Sequence, residues 1–188
     1  MSLIPAFEIG VWNAWIFILY SLIPLFLALL ISKGREEGSN FTAEFSKMQK
    51  NTHNFFHLTY FLLVIYSIFL PLKLGTIWFY VGLPICLLGL IPYTIAFVNV
   101  ANTPIDNLVT TGIYRYSRHP MYLSLFPVLV GVGIAAASWV FLLLSVVYMI
   151  MPLLFIDTEE RHCLKLYGDA YREYMNRTPR YIGIPKSG

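Results

Sequence analysis

Charged residues and cysteines are both scarce in this sequence. Asp, Glu, Lys and Arg make up 12% of its 188 residues, whereas the hydrophobic share is 57% and the mean hydropathy is +0.65. This balance is far from that of a soluble domain and predicts an integral membrane protein. The two cysteines, Cys86 and Cys163, lie far apart in different surroundings and therefore do not indicate a disulfide framework.

Basic runs and internal repeats are also missing. No run of five or more Lys and Arg residues occurs, and a net charge of +3 is too small to indicate a nucleic-acid partner. No repeat or low-complexity linker divides the chain, so we expect one domain over residues 1–188. His57 is the only candidate for an ionisable residue inside an apolar run, which argues against a transporter and leaves a non-catalytic scaffold as the non-enzymatic alternative.

Five apolar runs approach the roughly 20 residues needed to cross a bilayer. The first lacks the basic region and the cleavage site of a signal peptide, so we interpret it as a retained span. The sequence therefore predicts an all-α, polytopic membrane protein with about five spans and a helical C-terminal segment in the cytosol. The predicted spans are residues 11–31, 55–72, 76–100, 121–137 and 138–156.

Only small residues around Ala136 and Ser138 separate the last two runs, which predicts a tight helical hairpin. His119 lies 19 residues before Ser138, and Glu159 lies 21 residues after it. At about 1.5 Å per helical residue, both arms rise roughly 30 Å from the turn. We therefore expect His119 and Glu159 to lie close together at the same depth.

Twelve of the thirteen Lys and Arg residues fall on one side of this five-span topology, and only Lys73 falls on the other. Positive charges flank the cytosolic ends of spans. We therefore expect the N-terminus outside the cell and the C-terminus, with the polar residues of any active site, in the cytosol. The twelve residues are Lys33, Arg35, Lys47, Lys50, Arg115, Arg118, Arg161, Lys165, Arg172, Arg177, Arg180 and Lys186.

The residues at the start of the fourth run suit a helix N-terminus that binds an anion. Proline is favoured at the first helical position, which places Pro120 there and His119 near the N-cap. Free backbone N–H groups at Met121 and Tyr122 point outward from such a terminus, and Arg118 adds a positive charge. Across the hairpin, carboxylates would accept hydrogen bonds from the same ligand, so the site suits a zwitterionic cofactor.

The same residues also have purely structural interpretations. Arg115 and Arg118 would serve as cytosolic flanking residues, and Glu159 and Glu160 would oppose the dipole of a short helix. His53 and His57 are four residues apart, as in a metal pair on one helix face, but no third ligand has supporting spacing. Interfacial packing is therefore the preferred interpretation of the two histidines, and no metal site is predicted.

The chain contains the segments LVTTGIYRYSRHPMYLS (108–124) and TEERHCLKLYGDAYREYMNRTPRYI (158–182). These two segments resemble the C-terminal half of the isoprenylcysteine carboxyl methyltransferase and phospholipid methyltransferase group of membrane enzymes. The shared features are Gly-x-Tyr before Arg-His-Pro-x-Tyr, an apolar hairpin, Glu-Glu, Tyr-Gly, Tyr-x-x-Tyr and a proline. The likeness covers roughly the last 80 residues of the chain.

This resemblance implies binding of S-adenosylmethionine by residues between about 105 and 182. Arg118 and Glu160 are the candidate catalytic residues, with Glu160 positioning the reactants or accepting a proton. The helical tail, interrupted at Gly168, would cover the pocket. The implied cofactor-binding residues are Leu108, Val109, Tyr114, His119, Pro120, Met121, Tyr122 and Glu159.

The implied acceptor is a lipid-like molecule that enters sideways from the bilayer, with the carboxylate of an isoprenylcysteine-type substrate as the first choice. Phospholipid N-methylation is the alternative within the group. Membrane sterol reductases resemble the same Arg-His-Pro-x-Tyr element and use a nicotinamide cofactor, but they commonly continue with Leu-Gly-Asp. Here the continuation is Leu123-Ser124-Leu125, which favours the methyltransferase. The oligomeric state and the physiological acceptor stay open.

Overall fold

The computed structural model describes residues 7–31, 45–104 and 107–186, and in these ranges the chain forms seven α-helices and no named strand. The all-α prediction is therefore confirmed for the described residues. Short 3-10 segments precede α4 and follow α5. The helices are α1 (Trp15–Ile31), α2 (Lys47–Ile68), α3 (Ile77–Asn102), α4 (Pro120–Ala135), α5 (Trp139–Ile150), α6 (Ile156–Tyr167) and α7 (Asp169–Arg177), and the 3-10 segments are Gly112–Arg115 and Met151–Leu154.

The described residues support one or two membrane spans, so the five-span prediction is not confirmed. Helix α3 is long and apolar enough to cross a bilayer, and α5 with α6 passes the same test only if the two count as one span bent by 42°. Helix α4 is apolar but has 16 residues, fewer than a bilayer requires. The apolar runs in the sequence include turn residues that are not helical, which is why composition suggested longer spans.

Helix α2 differs most from its predicted boundaries. It begins at Lys47, eight residues before the predicted start at residue 55, and ends at Ile68. A capping box explains the early start, because the Ser46 hydroxyl accepts from the backbone N–H of Gln49 and the Gln49 side chain accepts from the backbone N–H of Ser46. The first two turns of α2 are consequently polar and include His53.

Helices α3 and α4 approach so closely that their backbones are in contact. A Cβ atom added at Gly89 would lie 2.6 Å from both the carbonyl oxygen of Ser124 and the backbone nitrogen of Val128. Added atoms at Gly82 and Gly131 would also meet backbone of the facing helix. The α3–α4 pair therefore forms a tightly packed wall of the protein, although Pro84 and Pro92 lie inside α3.

The predicted hairpin between α4 and α5 is confirmed. Helix α4 ends at Ala135, α5 begins at Trp139, and the Ser138 hydroxyl caps α5 by accepting from the backbone N–H of Phe141 (3.3 Å). The fifth predicted run is not one continuous helix, however. It breaks at the 3-10 segment that contains Pro152, and the chain then turns into the polar helix α6.

The two ends of the bundle differ in charge. Lys73 lies beside the α4–α5 turn, where its backbone N–H donates to the carbonyl of Ala135 (3.0 Å). Lys47, at the start of α2, and Arg118, before α4, belong to the opposite end of these helices. This separation agrees with the charge pattern, while the orientation in a membrane stays a prediction; Lys33 and Arg35 lie outside the described residues.

Replacement of Gly89 by Ala tests the backbone contact between α3 and α4. The added methyl group would meet backbone atoms that no side-chain rotation can move, so we expect a loss of about 1–3 kcal/mol in the free energy of unfolding. The thermal unfolding temperature in detergent should fall accordingly. Leu88→Ala is the matched control, because that neighbouring side chain is 70% exposed; an equal effect of both changes would contradict the close contact.

Candidate active site

The segment before α4 adopts the predicted helix start. His119 is the N-cap residue and Pro120 is the first helical residue. The backbone N–H of His119 donates to the Ser117 hydroxyl (3.0 Å), which fixes the chain as it enters the helix. The His119 side chain is buried, and both of its ring nitrogens face carboxylates of α6.

Glu160 is the centre of the cluster that holds α4, α6 and the C-terminal segment together. Its Oε1 atom lies 3.1 Å from His119 Nε2 and 3.0 Å from Arg118 Nη2. Arg180 donates to both carboxylate oxygens, from Nη2 at 2.6 Å and from Nε at 3.2 Å. Glu160 is 2% exposed, so its negative charge is balanced inside the protein rather than by water.

Burial alone would favour protonated Glu160. The hydrogen bonds from His119 and Arg180 and the charge of Arg118 outweigh burial and lower the pKa of Glu160 to about 2. The carboxylate is thus ionised and fully engaged at neutral pH. This geometry favours a positioning role, in which Glu160 orients His119 and Arg118, over the predicted alternative of proton acceptance.

Glu159 lies on the accessible side of the same cluster. Its Oε2 atom accepts a hydrogen bond from the Tyr122 hydroxyl (3.4 Å) and lies 3.8 Å from His119 Nδ1. Partial burial raises the pKa of Glu159, and His119 and Tyr122 oppose that rise. The predicted proximity of His119 and Glu159 is therefore confirmed across 40 positions of sequence.

A cavity of about 310 Å³ opens beside this cluster. Six predicted cofactor residues line it, together with the candidate catalytic residue Arg118, while Glu160 lies behind them. Its charged and hydrogen-bonding groups come from the segment before α4, from α4 and from α6, and we call them the charged end; its aromatic side chains come mainly from α2, α3 and α5, and we call them the aromatic end. The lining residues are Phe56, His57, Tyr60, Tyr93, Phe97, Tyr114, Arg118, His119, Pro120, Met121, Tyr122, Leu125, Tyr148 and Glu159.

The remaining two predicted cofactor residues lie elsewhere. Leu108 lines a second, more polar cavity of about 730 Å³, and Val109 is buried and lines neither cavity described here. Tyr114 and Tyr174 stand between the two cavities, where the Tyr174 hydroxyl donates to the Tyr114 carbonyl (2.7 Å). The structure thus gathers most of the predicted set at α4 and α6 and separates Leu108 from it.

The C-terminal segment contributes residues that the sequence analysis did not select. The backbone N–H of Arg118 donates to the Pro179 carbonyl (3.1 Å), and that of Gly183 donates to the Tyr116 carbonyl (3.1 Å). These bonds bring Arg180 to Glu160 and Asp157, the latter at 2.7 Å from Arg180 Nη1. The available signal was the Arg-Thr-Pro-Arg run of the tail, which lies within the segment that carries the resemblance.

The donors at the site fit a small anionic or zwitterionic group. Among the described residues, Arg118 Nε is a buried donor without a hydrogen-bond partner, although Nη2 of the same guanidinium contacts Glu160. Arg118 also lines the cavity, so its guanidinium places a positive charge beside any ligand bound there. The N-terminus of α4 adds the positive end of a helix dipole to the same place.

Comparison with known proteins assigns the chain to a family. The family described as Phospholipid methyltransferase matches residues 72–170, just over half of the chain. The chain belongs to this family. The matched region contains both glutamates of α6 and the Arg-His-Pro element, which confirms the resemblance inferred from the sequence. Arg180 lies beyond the matched region.

Two curated relatives carry the name protein-S-isoprenylcysteine O-methyltransferase. The protein of Schizosaccharomyces pombe is 38% identical over 79 residues, which cover 42% of this chain and 33% of the relative. The protein of Saccharomyces cerevisiae is 32% identical over 138 residues, which cover 65% of this chain and 54% of the relative. The chain therefore matches about a third and about half of the lengths of these two relatives.

Glu160→Gln tests the buried cluster through its pH dependence. At pH 7 we expect the variant to lose about 3 kcal/mol of unfolding free energy, because it leaves buried Arg118 without its partner charge. The folded-state pKa lies below the ordinary value of 4.5, so ionised Glu160 stabilises the fold fully above pH 4.5 and progressively less towards pH 2. The difference in unfolding free energy between wild type and variant should therefore become smaller as the pH falls from 4.5 towards 2. Denaturant unfolding in detergent measures this difference.

Glu173→Gln is the control for this measurement. Glu173 pairs with Arg177 four residues later, but both side chains are exposed, so its loss should change stability by less than about 1 kcal/mol. A Glu160→Gln variant as stable as the control at pH 7 would contradict the role given to the cluster.

Proposed function

We propose that this chain is an integral membrane methyltransferase that uses S-adenosylmethionine and acts on a lipid-like acceptor. The carboxylate of an isoprenylcysteine-type molecule is the acceptor that we favour. The observation that carries the proposal is the convergence of His119, Tyr122 and Glu159 on one cavity at the N-terminus of α4, in a chain of the phospholipid methyltransferase family.

The charged end of the cavity offers a partner for each part of the cofactor's amino-acid moiety. Arg118 and the backbone N–H groups at the start of α4 suit its carboxylate, and Glu159 suits its ammonium group. Tyr122 and Met121 supply contact for the apolar parts. When bound, S-adenosylmethionine supplies a methyl group that its sulfonium already activates.

The protein's remaining contribution is to align the acceptor with that methyl group. A carboxylate acceptor is ionised at neutral pH, so the new C–O bond forms as the S–CH₃ bond breaks and no general base is required. This agrees with the placement of Glu160, because its carboxylate is held in ion pairs and does not line the cavity. Its proposed function is to hold His119 and Arg118 in position.

The aromatic end of the cavity suits a hydrocarbon chain. Phe56 and Tyr148 stack there at a centroid distance of 4.2 Å, and Phe97 and Leu125 add further apolar surface. Outside the cavity, α3 exposes large apolar side chains such as Leu88 and Ile91, as a helix in contact with lipid does. We infer that the acceptor's chain lies at this end and that it enters from the bilayer.

Two other activities remain as outcomes of the tests. The family description leaves room for a phospholipid amine as the acceptor, and such an amine must lose a proton before it attacks. A membrane reductase would bind a nicotinamide cofactor instead. Calorimetry of the purified chain against S-adenosylhomocysteine and, separately, NADPH distinguishes the cofactor classes; binding of NADPH alone would overturn the proposal.

His119→Ala and Glu159→Ala should each weaken S-adenosylhomocysteine binding in that calorimetric assay. A lost hydrogen bond to a charged group corresponds to roughly 1.5–3 kcal/mol, or about ten- to over a hundredfold in affinity. Because the two side chains contact each other, the losses in the double variant should be non-additive. Lys73→Ala, at the opposite end of the helices, is the control.

Melting temperatures of the ligand-free variants complete this test. If His119 and Glu159 serve only the fold, the melting temperature should fall while the affinity of the folded fraction stays at the wild-type value. Unchanged affinity in both single variants and in the double variant would refute a shared cofactor site.

The acceptor is tested with carboxylic acids that share a head group and differ in chain length. We expect a prenylated thiol acid to be methylated with a higher kcat/KM than the same acid without its chain, because the aromatic end of the cavity binds the hydrocarbon. Transfer of labelled methyl groups to the acids measures this. Equal rates with and without the chain would contradict lateral entry, and methylation of phosphatidylethanolamine alone would identify the amine activity.

A further inference from the structure

The first two turns of α2 bring two imidazoles into direct contact. The Nε2 atoms of His53 and His57 lie 3.3 Å apart, and the ring centroids are separated by 4.5 Å. The four-residue spacing places both side chains on one face of the helix. Neither residue has a part in the proposed cofactor site, although His57 borders the same cavity.

The separation of the two nitrogens fits joint ligation of one metal ion. Imidazole nitrogens bind zinc at about 2.0–2.1 Å. Two nitrogens 3.3 Å apart and each at that distance from an ion subtend an angle of about 105–110° at it, close to the tetrahedral value. The centroid distance of 4.5 Å is shorter than such a complex requires, so a small rotation of the rings would direct both nitrogens at the ion.

The surroundings of the pair hold His53 in place and leave His57 accessible. His53 is half-buried between the rings of Phe45 and Phe155, at centroid distances of 5.4 and 5.5 Å, which limits its rotation. His57 is exposed and lines the cavity. In the described part of the chain no third His, Cys, Asp or Glu joins them in a three-ligand group.

We propose that Nε2 of His53 and Nε2 of His57 together bind a divalent transition-metal ion of the class that prefers imidazole, such as Zn²⁺ or Ni²⁺, at the border of the cavity. Both rings are then neutral with the proton on Nδ1. The competing arrangement is a hydrogen bond between the rings, in which one Nε2 carries the proton and donates it to the other. The two arrangements give the same distance but differ in whether an ion binds.

The test is calorimetric titration of the detergent-purified chain, freed of any oligohistidine tag, with Zn²⁺ and with Ni²⁺ at pH 7.5. We expect one ion per chain and a loss of at least tenfold in affinity in His53→Ala and in His57→Ala. The double variant should bind scarcely more weakly than either single variant, because one remaining imidazole no longer chelates. Binding by wild type should also weaken at pH 5.5, where protons compete for the rings.

Asn54→Ala is the matched control, since it removes an exposed polar side chain between the two histidines. Its metal affinity should equal that of wild type. Melting temperatures without metal show whether each variant is folded, and added Zn²⁺ should raise the melting temperature of wild type and of the control alone. Equal affinity of wild type and the double variant would overturn the proposal and leave the pair as hydrogen-bonded packing, irrespective of the chain's enzymatic activity.

Discussion

The buried carboxylate of Glu160 is the interaction on which the candidate site depends. It joins the segment before α4, the helix α6 and the C-terminal segment, which lie far apart in sequence, through His119, Arg118 and Arg180. A buried charge is tolerated only when its partners are in place, so this carboxylate requires all three segments to be folded together. The position of His119, and with it the cavity wall, follows from that requirement.

The sequence was sufficient to predict the contact between the two arms of the hairpin. Proline after His119 identified the start of α4, small residues identified the turn, and equal helix lengths placed Glu159 opposite His119. The prediction succeeded even though α5 ends at Ile150, because the 3-10 segment and α6 continue from that helix with a bend of only 42°. Local sequence signals and the fixed rise per helical residue were therefore sufficient to predict this contact.

Arg180 could not be found in that way, because it reaches Glu160 through a change of direction at Gly168. That glycine has a φ of +55°, and no rule of spacing gives the direction of the chain beyond such a residue. The five predicted spans are not confirmed for a different reason, since apolar composition continues through turns that are not helical. The polar start of α2 depended on the Ser46–Gln49 capping box, a signal that the apolar count ignores.

The glycine contacts between α3 and α4 determine which parts of the molecule are able to move. Backbones in direct contact have no side chains between them that could change rotamer, so we expect these two helices to move as one body. Side chains of α2 and α6 also contact α4, and the C-terminal segment is hydrogen-bonded to the backbone before α4. Any gating of ligand exchange is consequently confined to those elements, while the helix that presents His119 remains a fixed reference for the reacting groups.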